Sequence, residues 1–465
     1  MEKTLLNANL LKKYHQNLVY DYTEYPTKSN WNYDYGSEDY KKSLEIWLKK
    51  NKNAPVMFYV HTPFCEQLCY FCLCSKEITQ NYENVKKYLY NYLYKEIELL
   101  FNFLNEKNIK LNVKEIYFGG GSPTYYRAEE FKNLIDKLKG CFDFSKIGDF
   151  TVEIDPRRVD EEKLLFYNDC GVNRLSFGVQ DFDLEVQKRI NRVQPPELLD
   201  KLLTRKVREK FRTFNFDLLV GLPGQTNNTM AETVDKIIKL RPPEIQPMMM
   251  HYKPQTRKYM IKMLKDGPLP DFFDRKLLYA TLNEKLTKAG YTHNGYESYA
   301  LPSDPISKAM DEKKAYYGSI GCQKGEATNF VAVGSSAHGC LGDEYYSQNY
   351  YEQNLYKQSL DKGKFPIYRG MKLSADDRIR RHIIKTLRTY FEIDYAEIEE
   401  KFKINFKKHF DKEINNLKEF IKDDLAIVSN EGISITNLGT NFSPQIINVF
   451  DGYNPQKINQ LNVNT

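Results

Sequence analysis

The chain has 465 residues, 41% hydrophobic and 28% charged, which reads as soluble and globular. Its net charge of +6 is small for this length and argues against a dedicated nucleic-acid binder, and no stretch approaches the ~20 apolar residues of a membrane span. The opening Met1-Glu-Lys-Thr-Leu-Leu-Asn7 lacks the basic-then-apolar order of an export signal, so a reducing cytoplasm is the expected location.

Residues 1–53 mix polar and aromatic side chains, Tyr22-Thr-Glu-Tyr-Pro-Thr27 among them, and predict an N-terminal arm, extended at first and ending in a short helix at 40–49. From Val56 the rhythm changes. Short apolar runs at 56–61, 113–118, 149–153, 172–177, 213–219 and 244–250 alternate with longer amphipathic stretches such as 85–105, 128–139, 161–169 and 230–240. That alternation is the βα signature of a parallel sheet. About six βα units are too few for a closed eight-stranded barrel of ~250 residues. They predict an α/β fold with an open, partial parallel β/α barrel, which together with its extension covers residues 54–342. Reactive groups in such a fold gather at the C-terminal ends of the strands.

Beyond the barrel, residues 343–450 predict a helical, winged-helix-like domain: helices at 376–389, 395–402 and 410–422 precede apolar runs at 425–428 and 432–436. Positive charges at 401–408 come without a recognition helix, so no nucleic-acid partner is expected. Residues 451–465 predict a loose tail, polar and aperiodic from 454.

Four cysteines crowd the loop after the first strand: Cys65-x3-Cys69-x2-Cys72, then Cys74. The first three have the spacing that places thiolates on three corners of a [4Fe–4S] cube, leaving one iron open to a small molecule. Soft thiolates also suit zinc. A structural zinc site, however, wants a second tight ligand pair, and none follows. A disulfide framework is disfavoured by eight cysteines in a chain of this length without an export signal. Cys74 remains open between fourth ligand, structural thiol and substrate neighbour. Cys141, Cys170, Cys322 and Cys340 read as scattered thiols.

Gly119-Gly-Gly-Ser-Pro-Thr124 follows the second strand. Its glycines open a backbone path barred to Cβ-bearing residues and let a ligand approach closely. A tight strand–helix turn would explain them too, whereas a phosphate loop fails for want of Gly-Lys-Ser/Thr. Glu153 ends the third strand, with Asp155 placed to cap the next helix. Gln180 falls just after the fourth strand, Asp217 late in the fifth and Arg192 beyond Gln180, a partner for a carboxylate. Each alone fits a satisfied structural polar residue; together they share one rim. Of the histidines, His61 adjoins the cysteine loop, and His251 and His338 fall in rim-like segments, with no tight metal spacing. No catalytic acid or base stands out.

The string Tyr59-Val-His-Thr-Pro-Phe-Cys65-x3-Cys69-Tyr-Phe-Cys72-Leu-Cys74 resembles the radical S-adenosylmethionine (SAM) enzymes, and more narrowly the oxygen-independent coproporphyrinogen III dehydrogenase family. The likeness runs through Tyr22–Thr27, Gly119–Thr124, Glu153-Ile-Asp-Pro-Arg157, 173–182, Asn191-Arg192 and 216–226. It continues into Tyr368-Arg-Gly370, 373–381 and 432–436. The resemblance implies that Cys65, Cys69 and Cys72 ligate a [4Fe–4S] cluster whose fourth iron is chelated by SAM, and that reduction cleaves SAM to a 5′-deoxyadenosyl radical. Tyr59, Phe71, Gly120, Gly121 and Ser122 match positions around the cluster and SAM. Glu153, Gln180, Arg192 and Asp217 match further cofactor positions, and Lys253 and His338 match pockets associated with a second SAM. The implied reaction abstracts hydrogen from coproporphyrinogen III propionates and releases carbon dioxide to leave vinyl groups. An electron donor such as flavodoxin or ferredoxin and a monomeric state are expected with it.

The chain also departs from that family. Tyr20-Asp21 replaces Pro-Arg, Tyr296-Glu-Ser-Tyr-Ala300 replaces Met-Asp-His-Phe-Ala, His338-Gly339 stands where an aliphatic residue is usual, and Thr440 replaces an arginine. All of these touch substrate or second-cofactor territory and none touches the cysteines. Two readings therefore stand beside the decarboxylase: a related methyltransferase, cyclopropanase or haem ring-opening enzyme using the second SAM as carbon donor, and a haem chaperone.

Overall fold

Alternation along each strand separates an outer face, packed under helices, from an inner face that lines the barrel. In β1 (Pro55–Thr62), Val56, Phe58 and Val60 join the main apolar core, while Met57 and Tyr59 pack in a separate inner cluster with Tyr117. The same split recurs in β2 (Asn112–Gly120), β3 (Asp149–Ile154), β4 (Arg174–Gln180) and β5 (Thr213–Val220). Their outer residues include Ile116 and Phe118, Phe150 and Val152, Leu175 and Phe177, and Phe214 and Phe216. Their inner positions fall to Tyr117, Glu153, Ser176 and Asp217. With both faces covered, nearly every strand residue is buried, as a parallel sheet demands.

The computed structural model describes residues 8–14 and 22–453. Its main sheet has twelve strands. β1 to β5 and β6 (Glu244–Met249) pair in parallel order. β7 (Thr292–His293) and β8 (Tyr299–Ala300) add antiparallel at the β6 edge. On the other side, β9 (Asn329–Val333) pairs parallel to β1, followed by antiparallel β10 (His338–Leu341), β11 (Tyr345–Asn349) and β12 (Ile367–Lys372). The six expected strands are thus the parallel centre of an α/β sheet forming a partial barrel, each within three residues of its expected limits. Gln180 ends β4 instead of following it.

The boundary expected at 342/343 falls between β10 and β11. β11 and β12 hydrogen-bond onto β10, and so belong to the main sheet. The C-terminal unit begins with helix Ala375–Tyr390, which Ser374 caps by accepting the Asp377 N–H at 3.1 Å. It has its own apolar core around Ile383, Leu387, Phe406, Phe410, Leu425 and Phe442. Its three-stranded sheet combines β13 (Glu392–Asp394), β14 (Ala426–Val428) and β15 (Gly432–Ile435). The helix expected at 410–422 is broken into Asp411–Asn416 and Lys418–Lys422.

The N-terminal segment ties the two cores together. Trp31 stacks on Tyr346 of β11 with ring centres 4.7 Å apart and donates its indole N–H to Pro26, whereas Tyr22 and Tyr25 join the C-terminal core. Helix Ser37–Lys50 covers the main core with Leu44 and Trp47. Of the tail expected at 451–465, residues 451–453 are described and tied down, Asp451 accepting from Tyr22 at 2.7 Å and Tyr453 donating to Asp377 at 2.9 Å; residues 454–465 and the Tyr20-Asp21 departure lie outside the described residues.

Candidate active site at the barrel mouth

The glycine loop is pinned to the segment that leads into the cysteine loop and to Glu153 of β3. The N–H groups of Gly121 and Ser122 donate to the carbonyls of Thr62 and Phe64 at 2.7 and 2.8 Å. The N–H of Gly120 donates to Glu153 at 3.0 Å. These three main-chain donors are therefore used within the protein, and the glycines serve to let backbone and side chains close up. At Gly120, where φ is +107°, a Cβ would sit 2.4 Å from the His61 ring. A Cβ on Gly121 would lie 2.7 Å from the Thr62 and Phe64 carbonyls.

His61 links the strand to the loop. Its Nε2 lies 3.1 Å from the Ser75 carbonyl, which can only accept, so Nε2 carries the proton and Nδ1 accepts the Tyr59 hydroxyl at 3.1 Å. Burial lowers the His61 pKa to about 4, so the ring is neutral. Tyr59 in turn stacks on Tyr117, and the Tyr117 hydroxyl donates to Glu153 at 3.1 Å.

Glu153 and Asp217 form the acidic floor of the mouth. Asp217 accepts from Ser176 at 2.9 Å and from Asn215 at 2.6 Å. Burial first, and the Asp217 charge second, push Glu153 up to about 8. Burial likewise raises Asp217. Two carboxyls held away from water in this way favour a cationic or hydroxyl-bearing guest.

The cysteines meet the opposite charge. The Arg192 Nη1 lies 3.6 Å and the Arg157 Nη2 3.8 Å from the Cys69 sulfur. Arg192 also donates to the Gly178 carbonyl at 2.7 Å and pairs with Asp155 at 3.5 Å. Burial opposes ionisation of Asp155, but Arg192 and Arg157 outweigh it and hold its carboxyl well below the usual range. Lys76 donates to the carbonyls of Cys72 and Cys74 at 3.2 and 3.3 Å and reaches the Tyr259 hydroxyl at 3.2 Å. A hydrogen bond from the Cys74 thiol, against burial and with help from Lys76, brings Cys72 down to about 5. Burial pushes Cys65 up to about 12, and the Cys72 contact pushes Cys74 well up. Cys74 itself is exposed.

Gln180 has φ of +69°, left-handed for a non-glycine residue, and its buried Oε1 has no hydrogen-bond partner. An orphaned acceptor on a residue with strained backbone marks a group held for a ligand. This acceptor, the cations at Cys69 and the three thiols on one loop fit an anionic iron–sulfur cluster with a bound small molecule. Among the described residues no three His, Cys, Asp or Glu side chains converge tightly enough for one metal ion.

Not every expected residue joins this centre. Phe71 packs on the other side of the loop, beside Leu222, Met250 and Met260. Lys253 follows β6, where its N–H meets the Met260 sulfur at 3.4 Å. His338 opens β10, with its ring centre 6.4 Å from that of Tyr59. Its Nε2 contacts the Glu24 carboxylate at 2.8 Å and the Ser319 hydroxyl at 3.0 Å. Burial opposes ionisation of Glu24, yet Lys28 and His338 hold it at about 2. Sequence reasoning missed Arg157, Lys76, Tyr117 and Tyr259. The Asp155-Pro-Arg157 string carried a signal for the first: Asp155 does cap the following turn, as expected, but also grips Arg157 at 2.7 Å.

Comparison with known proteins agrees with this geometry. The Radical SAM superfamily model matches residues 59–237, and the HemN C-terminal domain model matches 373–442. The oxygen-independent coproporphyrinogen III oxidase of Pseudomonas aeruginosa is 33% identical, over 93% of each chain. That of Escherichia coli is 32% identical over 94% of this chain and 93% of its own. The solved structure of coproporphyrinogen III oxidase from Escherichia coli, described as a radical SAM enzyme, superposes with a TM-score of 0.86 at 31% identity, covering 94% of this chain and all of that one.

Proposed function

The chain belongs to the oxygen-independent coproporphyrinogen III oxidase family of radical SAM proteins, and from that premise we propose that it converts propionate side chains of coproporphyrinogen III to vinyl groups. The observation that carries this reading is likeness over 93% of the chain, C-terminal unit included, since the barrel alone would indicate only the wider superfamily. Membership implies a [4Fe–4S] cluster and SAM. When bound, these supply hydrogen-atom abstraction from an unactivated carbon.

The protein's own residues then have definite tasks. Cys65, Cys69 and Cys72 hold the cluster, and Arg192 and Arg157 offset the thiolate charge at Cys69. Glu153 and Asp217 receive the ammonium and hydroxyl groups of the cofactor, Gln180 supplies a waiting acceptor, and Tyr59 walls the site, while Phe71 backs the cysteine loop from its other side. Gly120, Gly121 and Ser122 fix the loop's position beneath it. Lys253 and His338 attend a second SAM molecule. The tetrapyrrole enters over the arm side, where Glu24 holds His338. The electron donor is a flavodoxin or ferredoxin, the active chain is a monomer, and a cytoplasm poor in oxygen is the compartment this chemistry needs. No helix among the described residues is long and apolar enough to cross a membrane.

The polar setting of His338 favours one further reading, in which the second SAM donates carbon to a tetrapyrrole. Anaerobic turnover of coproporphyrinogen III with SAM and dithionite separates the two by product mass. The proposal expects loss of carbon dioxide and two hydrogens per side chain. Label from methyl-labelled SAM in the product, or no change in mass, overturns it.

A further inference from the structure

The cysteine loop has an outer side, and its surface is unusual. Two segments clasp it there. From the first, Ile190 accepts the Tyr70 N–H at 3.0 Å and Asn191 donates to the Leu68 carbonyl at 2.8 Å. From the second, Arg257 donates to the Leu73 carbonyl at 3.1 Å and Tyr259 donates to Cys72. The segments pack together beneath the surface through Val186, Ile190, Met260 and Met263, with Tyr70, Phe71 and Leu73 against them.

Their outward residues are apolar and basic. Leu184, Val193 and Ile261 are 50%, 48% and 57% exposed, among the few large hydrophobics in the described residues that face water. The same two segments carry Lys188, Arg189, Lys258, Lys262 and Lys265, against Asp183, Glu185 and Asp266. Asp183 caps its helix and Glu185 pairs with Lys188 at 2.7 Å, and the five cations still outnumber the three carboxylates. Lys262 lies over the ring of Tyr70, within the cysteine loop itself, at 5.4 Å.

On the proposed function, on which this inference rests, one electron must reach the cluster from outside for each SAM cleaved. The inner face of the loop is taken by cofactor and substrate, so the outer face is the short route in. We propose that the surface formed by Leu184, Val193 and Ile261 with Lys188, Lys258 and Lys262 docks an acidic one-electron carrier protein. The carrier is oxidised by one electron as the cluster is reduced by one. Apolar contacts supply the centre of the patch, and the lysines supply steering and orientation.

The test uses the full-length, cluster-loaded protein with reduced flavodoxin, and separately with dithionite, reading 5′-deoxyadenosine. Lys258→Glu together with Lys262→Glu should lower kcat/KM for flavodoxin about ten-fold, with the deficit shrinking at ~1 M salt. The dithionite rate should be unchanged. Lys408→Glu with Lys412→Glu, an equal charge change on the exposed surface of the C-terminal unit, should leave both rates alone. Should the first pair fail the dithionite control, Ile261→Ser serves instead, with a several-fold loss expected for flavodoxin only. Equal flavodoxin rates in wild type and the passing variant overturn the docking surface alone. If dithionite yields no 5′-deoxyadenosine even in wild type, the function falls and the surface with it.

Discussion

Arg192 holds its guanidinium 3.6 Å from the sulfur of Cys69, a residue 123 positions earlier in the chain. The same side chain is buried and braced by Gly178, Gln194 and Asp155. A cation fixed in this way cannot swing aside, so it acts on the cysteine at all times. Replacing it with Gln keeps a donor and removes the charge. Hydrogen bonds to charged groups contribute about 1.5–3 kcal/mol. Arg192→Gln should therefore reduce 5′-deoxyadenosine formation roughly ten- to a hundred-fold by the same estimate, with iron content retained. Iron and product are measured on one anaerobic preparation, and an unchanged rate would refute the assignment.

The three ligand cysteines and Cys74 should part company on substitution. Cys65→Ala, Cys69→Ala and Cys72→Ala should each abolish the brown absorbance and bound iron of the reconstituted protein. Cys74 is exposed where Cys69 is buried, so Cys74→Ser should keep its iron and most of its activity. Iron analysis decides it, and loss of the cluster in Cys74→Ser would make Cys74 a ligand.

Glu153 gives a pH signature in the cofactor-free protein. Its pKa is raised to about 8 in the folded state from 4.5. The folded state therefore binds the extra proton, and this residue's contribution is present below pH ~4.5 and lost as pH rises through ~8. Glu153→Gln mimics the protonated form and removes that dependence. Urea midpoints at pH 5, 7 and 9 should fall less steeply with pH in the variant. Parallel slopes in the two proteins would show that Glu153 is already ionised.

Two glycines should respond in opposite directions. Gly120→Ala places a methyl 2.4 Å from the His61 ring at a φ of +107°, costing about 2 kcal/mol or more through strain and overpacking. Gly140, inside helix Ala128–Cys141, has nothing within 4 Å of a new Cβ. Gly140→Ala should stabilise by about 0.5–1 kcal/mol from helix propensity alone. Urea denaturation of both, at constant m-value, checks the pair.

Much of the frame is legible in the order of residues, for local reasons. Apolar runs bounded by amphipathic stretches mark β1 to β6 closely, because a strand buried on both faces leaves a compact apolar signature. Placing Glu153, Gln180 and Asp217 near strand ends puts them on one rim, as the barrel rule requires. The errors arise where pairing is remote. Nothing near Tyr345 or Ile367 announces that their strands extend the main sheet past β10. The segment 410–422 has helical composition, yet folds as short pieces around Phe410, Leu417 and Phe420 in the C-terminal core.

By itself the amino-acid order determined the strand rhythm, the inner and outer faces, and the cysteine spacing, because periodicity and short-range geometry are written within a few residues. Only the tertiary structure decided that Arg192 faces Cys69, that Glu24 of the N-terminal segment meets His338, and that the glycine loop spends its N–H groups on Glu153 and the segment that leads into the cysteine loop. Those pairings join residues brought together by chain closure across the fold. Their charges and burial are properties of the packed molecule, and no local window of sequence contains them.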